Sequence, residues 1–160
     1  MEIELLKYLQ SNPAAYPNNQ EYEGRIKPIS PIEIQQLEVK YNNGQAFPKV
    51  LKELLFLAGN YCYVLDYNIF ETQEELQDAA RSWLLFYNRN INRNFFVVDA
   101  YNAGDQFLFI YLDEGDDPII RQAYLPSRSD IQFITSLLNK TLSQYIEDQI
   151  DDVKQGHNPF

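Results

Sequence analysis

Between Phe95 and Leu125 the chain alternates three apolar, aromatic-rich runs with two short polar breaks. The runs are Phe95-Phe96-Val97-Val98, Gln106 to Leu112, and Ile119 to Leu125. Aromatic and β-branched residues suit the pleated, half-buried surface of a strand. The breaks are Asn102-Ala103-Gly104-Asp105 and Asp113-Glu114-Gly115-Asp116-Asp117-Pro118, both rich in turn-favouring residues. A parallel crossover needs about a dozen residues or more, so breaks this short predict an antiparallel meander. The second run is apolar on both faces, so helices should cover much of the sheet.

Helical spacing accounts for most of the rest. Residues 2–10 read as a short helix with Leu5, Leu6 and Leu9 on one face, and 11–28 as a Pro/Asn-rich surface loop. Ser30-Pro31-Ile32-Glu33 has the form of a capping box with Pro at the first helical position. Ile34, Leu37 and Tyr41 follow at helical spacing, and Asn42-Asn43-Gly44 ends that helix. A helix from Pro48 presents Val50, Leu51, Leu54, Leu55 and Ala58 and stops at Gly59. Tyr61 to Leu65 reads as a strand. Thr72-Gln73-Glu74-Glu75 repeats the capping-box pattern ahead of Leu76, Ala79, Ala80, Trp83, Leu84 and Tyr87, and this face should bury Trp83. A last helix is expected over about 130–150, with Ile131, Ile134, Leu138, Leu142, Tyr145 and Ile146 inward, before a frayed tail at 151–160. Helices, a strand, a helix, a run of strands and a helix make an α+β order. A length of 160 residues suits one domain.

Charge and rare residues narrow the chemistry. The 23 acids and 13 bases give a net charge of −10, which repels nucleic acid. Such a surplus either keeps a protein in solution or draws in a basic protein. A single Cys62 allows no internal disulfide, and with one His157 it leaves too few ligands for structural zinc. The start MEIELLKYLQ lacks the pattern of a signal peptide. No apolar run approaches the ~20 residues of a membrane span. These features read as a cytoplasmic protein.

The acidic stretch at 113–118 invites a metal reading. A calcium loop spreads its ligands over about twelve residues, whereas Pro118-Ile119-Ile120 supplies none. A hairpin turn is the better assignment, with no metal and no cofactor. His157 sits in the expected tail, too remote for a nucleophilic triad, and Cys62 among aromatics reads as an inert core thiol. Asp66 and Asp99 follow strand-like runs, where an acid either caps a turn or faces a cleft. Twelve Tyr and ten Phe divide in the same way. Tyr63, Phe107, Phe109 and Tyr111 read as core, and Tyr61, Tyr67 and Tyr101 as candidates for a contact surface.

The phrase SPIEIQQLEVKYNNGQAFPKVLKELLFLAGNY resembles the opening of the SUKH superfamily, also called the Smi/Knr family. The shared features are the capped helix at Ser30 to Glu33, Phe47-Pro48, Leu54-Leu55 and Ala58-Gly59. FFVVDAYNAGDQFLFIYLDEGDDPIIR resembles the family's central hairpins, with Gly104-Asp105 before Phe107 and Phe109 and an acidic turn at Asp113 to Asp117. The resemblance spans about residues 29–150. It implies a twisted, mainly antiparallel sheet surrounded by helices, no catalysis and no cofactor. It also implies binding to a protein, as in bacterial immunity proteins that neutralise a toxin, often a nuclease, or in fungal regulators. The Pro/Asn-rich segment 11–28 and the connector Asn88-Arg89-Asn90-Ile91-Asn92-Arg93-Asn94 depart from it.

The leading expectation is an immunity protein that binds a basic toxin domain, with no nucleic-acid or membrane partner. A regulatory scaffold is the alternative, and an enzyme with a cleft carboxylate is third. The expected contact residues are Asp66, Tyr67, Glu71, Asp113, Glu114, Asp116 and Asp117, as exposed acids with a tyrosine anchor.

Overall fold

The computed structural model describes residues 1–15, 24–66 and 69–157. Its helices are α1 (Lys7–Ser11), α2 (Pro31–Tyr41), α3 (Lys49–Ala58), α4 (Gln73–Phe86) and α5 (Leu142–Lys154). Its strands are β1 (Phe95–Tyr101), β2 (Gln106–Tyr111), β3 (Ile119–Tyr124) and β4 (Ile134–Thr141). The four strands form one antiparallel meander in the order β1-β2-β3-β4. The fold is α+β, as the order of elements predicts. Phe107, Leu108, Phe109 and Ile110 of β2 are all buried, so both faces of the sheet are covered. No helix among the described residues is long and apolar enough to cross a membrane.

Local chemistry sets the helix ends. Ser30 accepts the Glu33 N–H, and Glu33 accepts the Ser30 N–H in return, so the capping box of α2 is complete. Ile34, Leu37 and Tyr41 are buried, and Asn43 and Gly44 take positive φ just beyond the helix. Thr72 caps α4 through the Glu75 N–H, but the Glu75 carboxylate turns to the Glu71 N–H. Gly59 ends α3 in the right-handed region, so its freedom of φ is not what selects it. A Cβ there would lie 2.6 Å from the Leu55 carbonyl oxygen and 2.7 Å from Ile29 Cγ1. Trp83 is half-buried, less than expected. Its indole lies on Gly104, whose φ of +93° and close approach both exclude a side chain.

Three segments differ from the sequence reading. The helix expected from about 130 begins only at Leu142, and Ile134–Thr141 is the fourth strand. Leu138 and Asn139 have φ of 53° and 54°, which no helix accepts, and they form a bulge that leaves Leu138 84% exposed. Residues 151–154, expected in the tail, complete α5 and bury Val153. Tyr61 to Leu65 is not a strand. Tyr61 forms an isolated bridge to Lys27, and buried Cys62, Tyr63, Val64 and Leu65 follow outside any strand. Tyr63 donates its hydroxyl to the Asn12 carbonyl at 2.7 Å, which ties this segment to the end of α1.

Two buried polar side chains replace strand and helix partners. The Gln77 amide exchanges two hydrogen bonds with Val97, both 2.8 Å, as a paired strand would. It thereby satisfies β1 at a sheet edge. Glu53 of α3 accepts the N–H groups of Glu4, Leu5 and Leu6 at 2.9, 2.9 and 2.8 Å. Leu6, the N-cap residue of α1, makes no side-chain cap, and Glu53 instead satisfies its N–H and the two ahead of it.

Candidate functional site

The acidic stretch at 113–118 is the β2–β3 turn, with Gly115 at φ +80°. Its acids are largely engaged within the fold. Asp113 pairs with Arg93, which holds the Asp113 carboxyl below its ordinary range. Glu114 takes both terminal nitrogens of Arg121, at 2.6 and 3.0 Å, and also meets Arg93 at 3.2 Å. Tyr111 lies under both guanidiniums, 3.8 Å from Arg93 and 4.7 Å from Arg121. Asp117 accepts the N–H and hydroxyl of Ser143 at 3.1 and 2.5 Å, at the N-terminus of α5. Asp116 gives its carbonyl to the Val50 N–H, and its side chain is exposed.

These bonds engage the carboxylates of Asp113, Glu114 and Asp117. Among the described residues, no three His, Cys, Asp or Glu side chains are grouped to hold an ion. Titration of the protein with calcium or magnesium is expected to show no one-to-one site at this turn. A tight site abolished by Asp113→Ala would contradict that.

Asp99 lies within β1, not after it. Val97 pairs with Phe109 and Asp99 with Leu108, so Val98 is the extra residue of a bulge. The bulge shifts the alternation by one and turns Asp99 to the face of Leu108. There Asp99 is 0% exposed. Oδ1 accepts the Asp66 N–H at 2.8 Å, and Oδ2 accepts the Tyr101 hydroxyl at 2.7 Å. Tyr101 and Tyr145 hydroxyls lie 3.2 Å apart, which links β1 to α5. Burial pushes the Asp99 carboxyl up to about 7, against the pull of its hydrogen bonds. Burial also raises the Asp66 carboxyl. The hollow beside this group, about 280 Å³, is lined by Tyr101 and Tyr145, with the carboxylate behind them. Asp99 thus holds the 62–66 segment against the sheet.

A larger cleft, about 430 Å³, opens between the N-terminal ends of α2 and α4. Ile29, Leu37 and Phe70 supply apolar lining, and Glu33, Glu71 and Glu74 supply carboxylates. Ser30 holds the Glu33 carboxyl below its ordinary range through two hydrogen bonds. Glu74 reaches Lys40 Nζ at 2.5 Å, and Lys40 also meets Asp78 at 2.8 Å. Glu71 is exposed at the entry to α4.

The seven expected contact residues therefore do not form one patch. Glu71 lines the cleft. Asp113, Glu114, Asp116 and Asp117 sit by Val50, near the start of α3, whereas Gly59 at its other end lines the cleft. Ten helical residues separate those ends by about 15 Å. Asp66 is half-buried against Asp99, and Tyr67 lies outside the described residues. Glu33 and Glu74 were legible only as helix-capping and first-turn residues, because nothing local in the sequence shows that α2 and α4 meet.

Comparisons of the chain with family models, curated proteins and solved structures return no match.

Proposed function

We propose that this chain is a non-catalytic, cytoplasmic protein-binding domain that neutralises a basic bacterial toxin, a nuclease among the candidates, by direct contact. The observation that carries this reading is the cleft between α2 and α4, where an apolar floor is rimmed by Glu33, Glu71 and Glu74. A lysine or arginine of a partner can lay its aliphatic stem on such a floor and its charge against the rim. The net charge of −10 adds a long-range field that favours encounter with a basic surface. The resemblance to the SUKH superfamily over about 29–150 supports the same reading, and its α+β expectation agrees with the observed sheet and helices. The turn acids keep a smaller part in it. Asp113, Glu114 and Asp117 act mainly within the fold, and Asp116 adds to the field.

The test is rescue of growth. Cells that express a toxin domain encoded beside this chain's gene should survive when the chain is co-expressed. Survival should fail with Glu71→Lys and Glu74→Lys together, in a protein that remains folded. No rescue of any neighbouring toxin would favour a regulatory scaffold that binds another protein.

A further inference from the structure

The Asn-rich connector that follows α4 meets the Asn-Asn-Gly end of α2 around Arg81. Asn92, Arg93 and Asn94 come from the connector and Asn43 from the end of α2. With Arg81 and Lys40 they line a hollow of about 270 Å³. We propose that this hollow is an oxyanion-binding site that takes one carboxylate or phosphate group, with Arg81 as its principal donor. The proposal is independent of the reading of the acidic cleft.

Arg81 carries the argument. Its guanidinium lies over two rings, 4.5 Å from the centre of Tyr41 and 4.4 Å from that of Phe95. Its hydrogen bonds go to main-chain carbonyls, from Nη1 to Gln77 at 2.9 Å and from Nη2 to Phe95 at 3.2 Å. A guanidinium has five N–H donors in a rigid plane. Two are spent on those carbonyls, and Arg81 lines the hollow, so three donors remain for a group bound there. A part-buried cation bonded only to neutral groups is poorly compensated. Burial indeed pulls the Arg81 pKa below its ordinary value, while Tyr41 and Asp78 oppose the fall.

The other lining groups differ from Arg81. Lys40 is paired with Glu74 and Asp78, and Arg93 with Asp113 and Glu114. They add positive charge near the mouth but are already partnered. The asparagines add neutral donors. Asn92 spends its side-chain oxygen on Asn90 Nδ2 at 2.6 Å, which leaves its own amide hydrogens to donate. Asn94 Nδ2 reaches Asn42 Oδ1 at 3.3 Å and fixes the connector to the end of α2. A planar fork with amide donors beside it matches the oxygens of a carboxylate or phosphate.

The test is an NMR titration of the whole chain with inorganic phosphate and, separately, with acetate, at constant ionic strength in chloride. Saturable shifts are expected at the Arg81 Nε–H and at the side-chain amides of Asn43 and Asn92, with a midpoint at millimolar concentration or below. Phosphate that saturates where acetate does not would assign a free or esterified phosphate. The reverse would assign a carboxylate group. Arg81→Gln should abolish the shifts. Because Arg81 also supports packing, Asn92→Asp on the exposed connector is the second variant. It should weaken binding at least tenfold and leave the spectrum of the core unchanged. Linear, non-saturating shifts with both anions, or equal affinity in wild type and Asn92→Asp, would overturn the proposal.

Discussion

Replacing Glu53 with Ala should destabilise the fold by about 3–5 kcal/mol, the range for stripping one partner from a buried charged network. Glu53 is 0% exposed and its two oxygens receive the N–H groups of Glu4, Leu5 and Leu6. The Leu6 N–H is buried and those of Glu4 and Leu5 are part-buried, and an orphaned buried amide costs roughly 1–3 kcal/mol. The loss should reach beyond one helix end, because Ile3, Leu6 and Leu9 belong to the same core as α3. Glu53→Gln should cost less but still destabilise, since its NH₂ would face amide donors. Chemical denaturation gives the free energies, and hydrogen exchange at residues 4–6 locates the loss. A Glu53→Ala protein within ~1 kcal/mol of wild type would remove Glu53 from this role.

Asp99→Asn should raise stability at pH 8 and flatten its dependence on pH. The folded carboxyl titrates at about 7, above the ~3.9 of an unfolded aspartate. The folded state therefore holds the proton more tightly. Stability from this group is complete below about pH 4 and is lost as pH rises through about 7. The ceiling is on the order of 4 kcal/mol, at ~1.4 kcal/mol per pH unit across that window. Asp66, also raised by burial, acts in the same direction. The lowered carboxyls of Glu4, Glu33, Asp78 and Asp113 act oppositely, but below their ordinary range near pH 4. Asn fits the site, because its oxygen can accept the Asp66 N–H and its amide can donate to the Tyr101 oxygen. Denaturation midpoints from pH 4 to 8 check this, and a parallel decline in both proteins would contradict it.

The parts of the fold that follow from local chemistry were legible in the sequence. Ser30 and Glu33 announce α2, and the two turn-rich breaks after β1 and β2 announce the meander. Ile134 to Thr141 was misread because Ile131, Ile134, Leu138 and Leu142 happen to fall at helical spacing. The better signal was Thr141, three residues before Gln144, which together form the capping box that starts α5. Asp99 shows a different limit. The Val98 bulge decides which face it meets, and a bulge is a property of strand pairing, not of one strand's pattern. The cleft is harder still, because Glu33, Glu71 and Glu74 come from segments about forty residues apart that meet only through tertiary packing. The turn acids illustrate the converse. Their composition suggested exposure, while Arg93, Arg121 and Ser143, which occupy three of them, lie elsewhere in the sequence.

Docking of a basic partner on the cleft between α2 and α4 is tested most directly by association kinetics. The measurement is the association rate of this chain with a toxin domain that it rescues, at low and physiological salt. Glu71→Lys with Glu74→Lys should slow association about tenfold or more at low salt, because rim charges act mainly on encounter. The gap should narrow as the Debye length falls to ~8 Å at physiological ionic strength. Neutralising Asp113, Glu114, Asp116 and Asp117 together should slow it less. A cleft variant that associates as fast as wild type at low salt, while the turn variant does not, would place the contact on the β2–β3 turn and contradict the account.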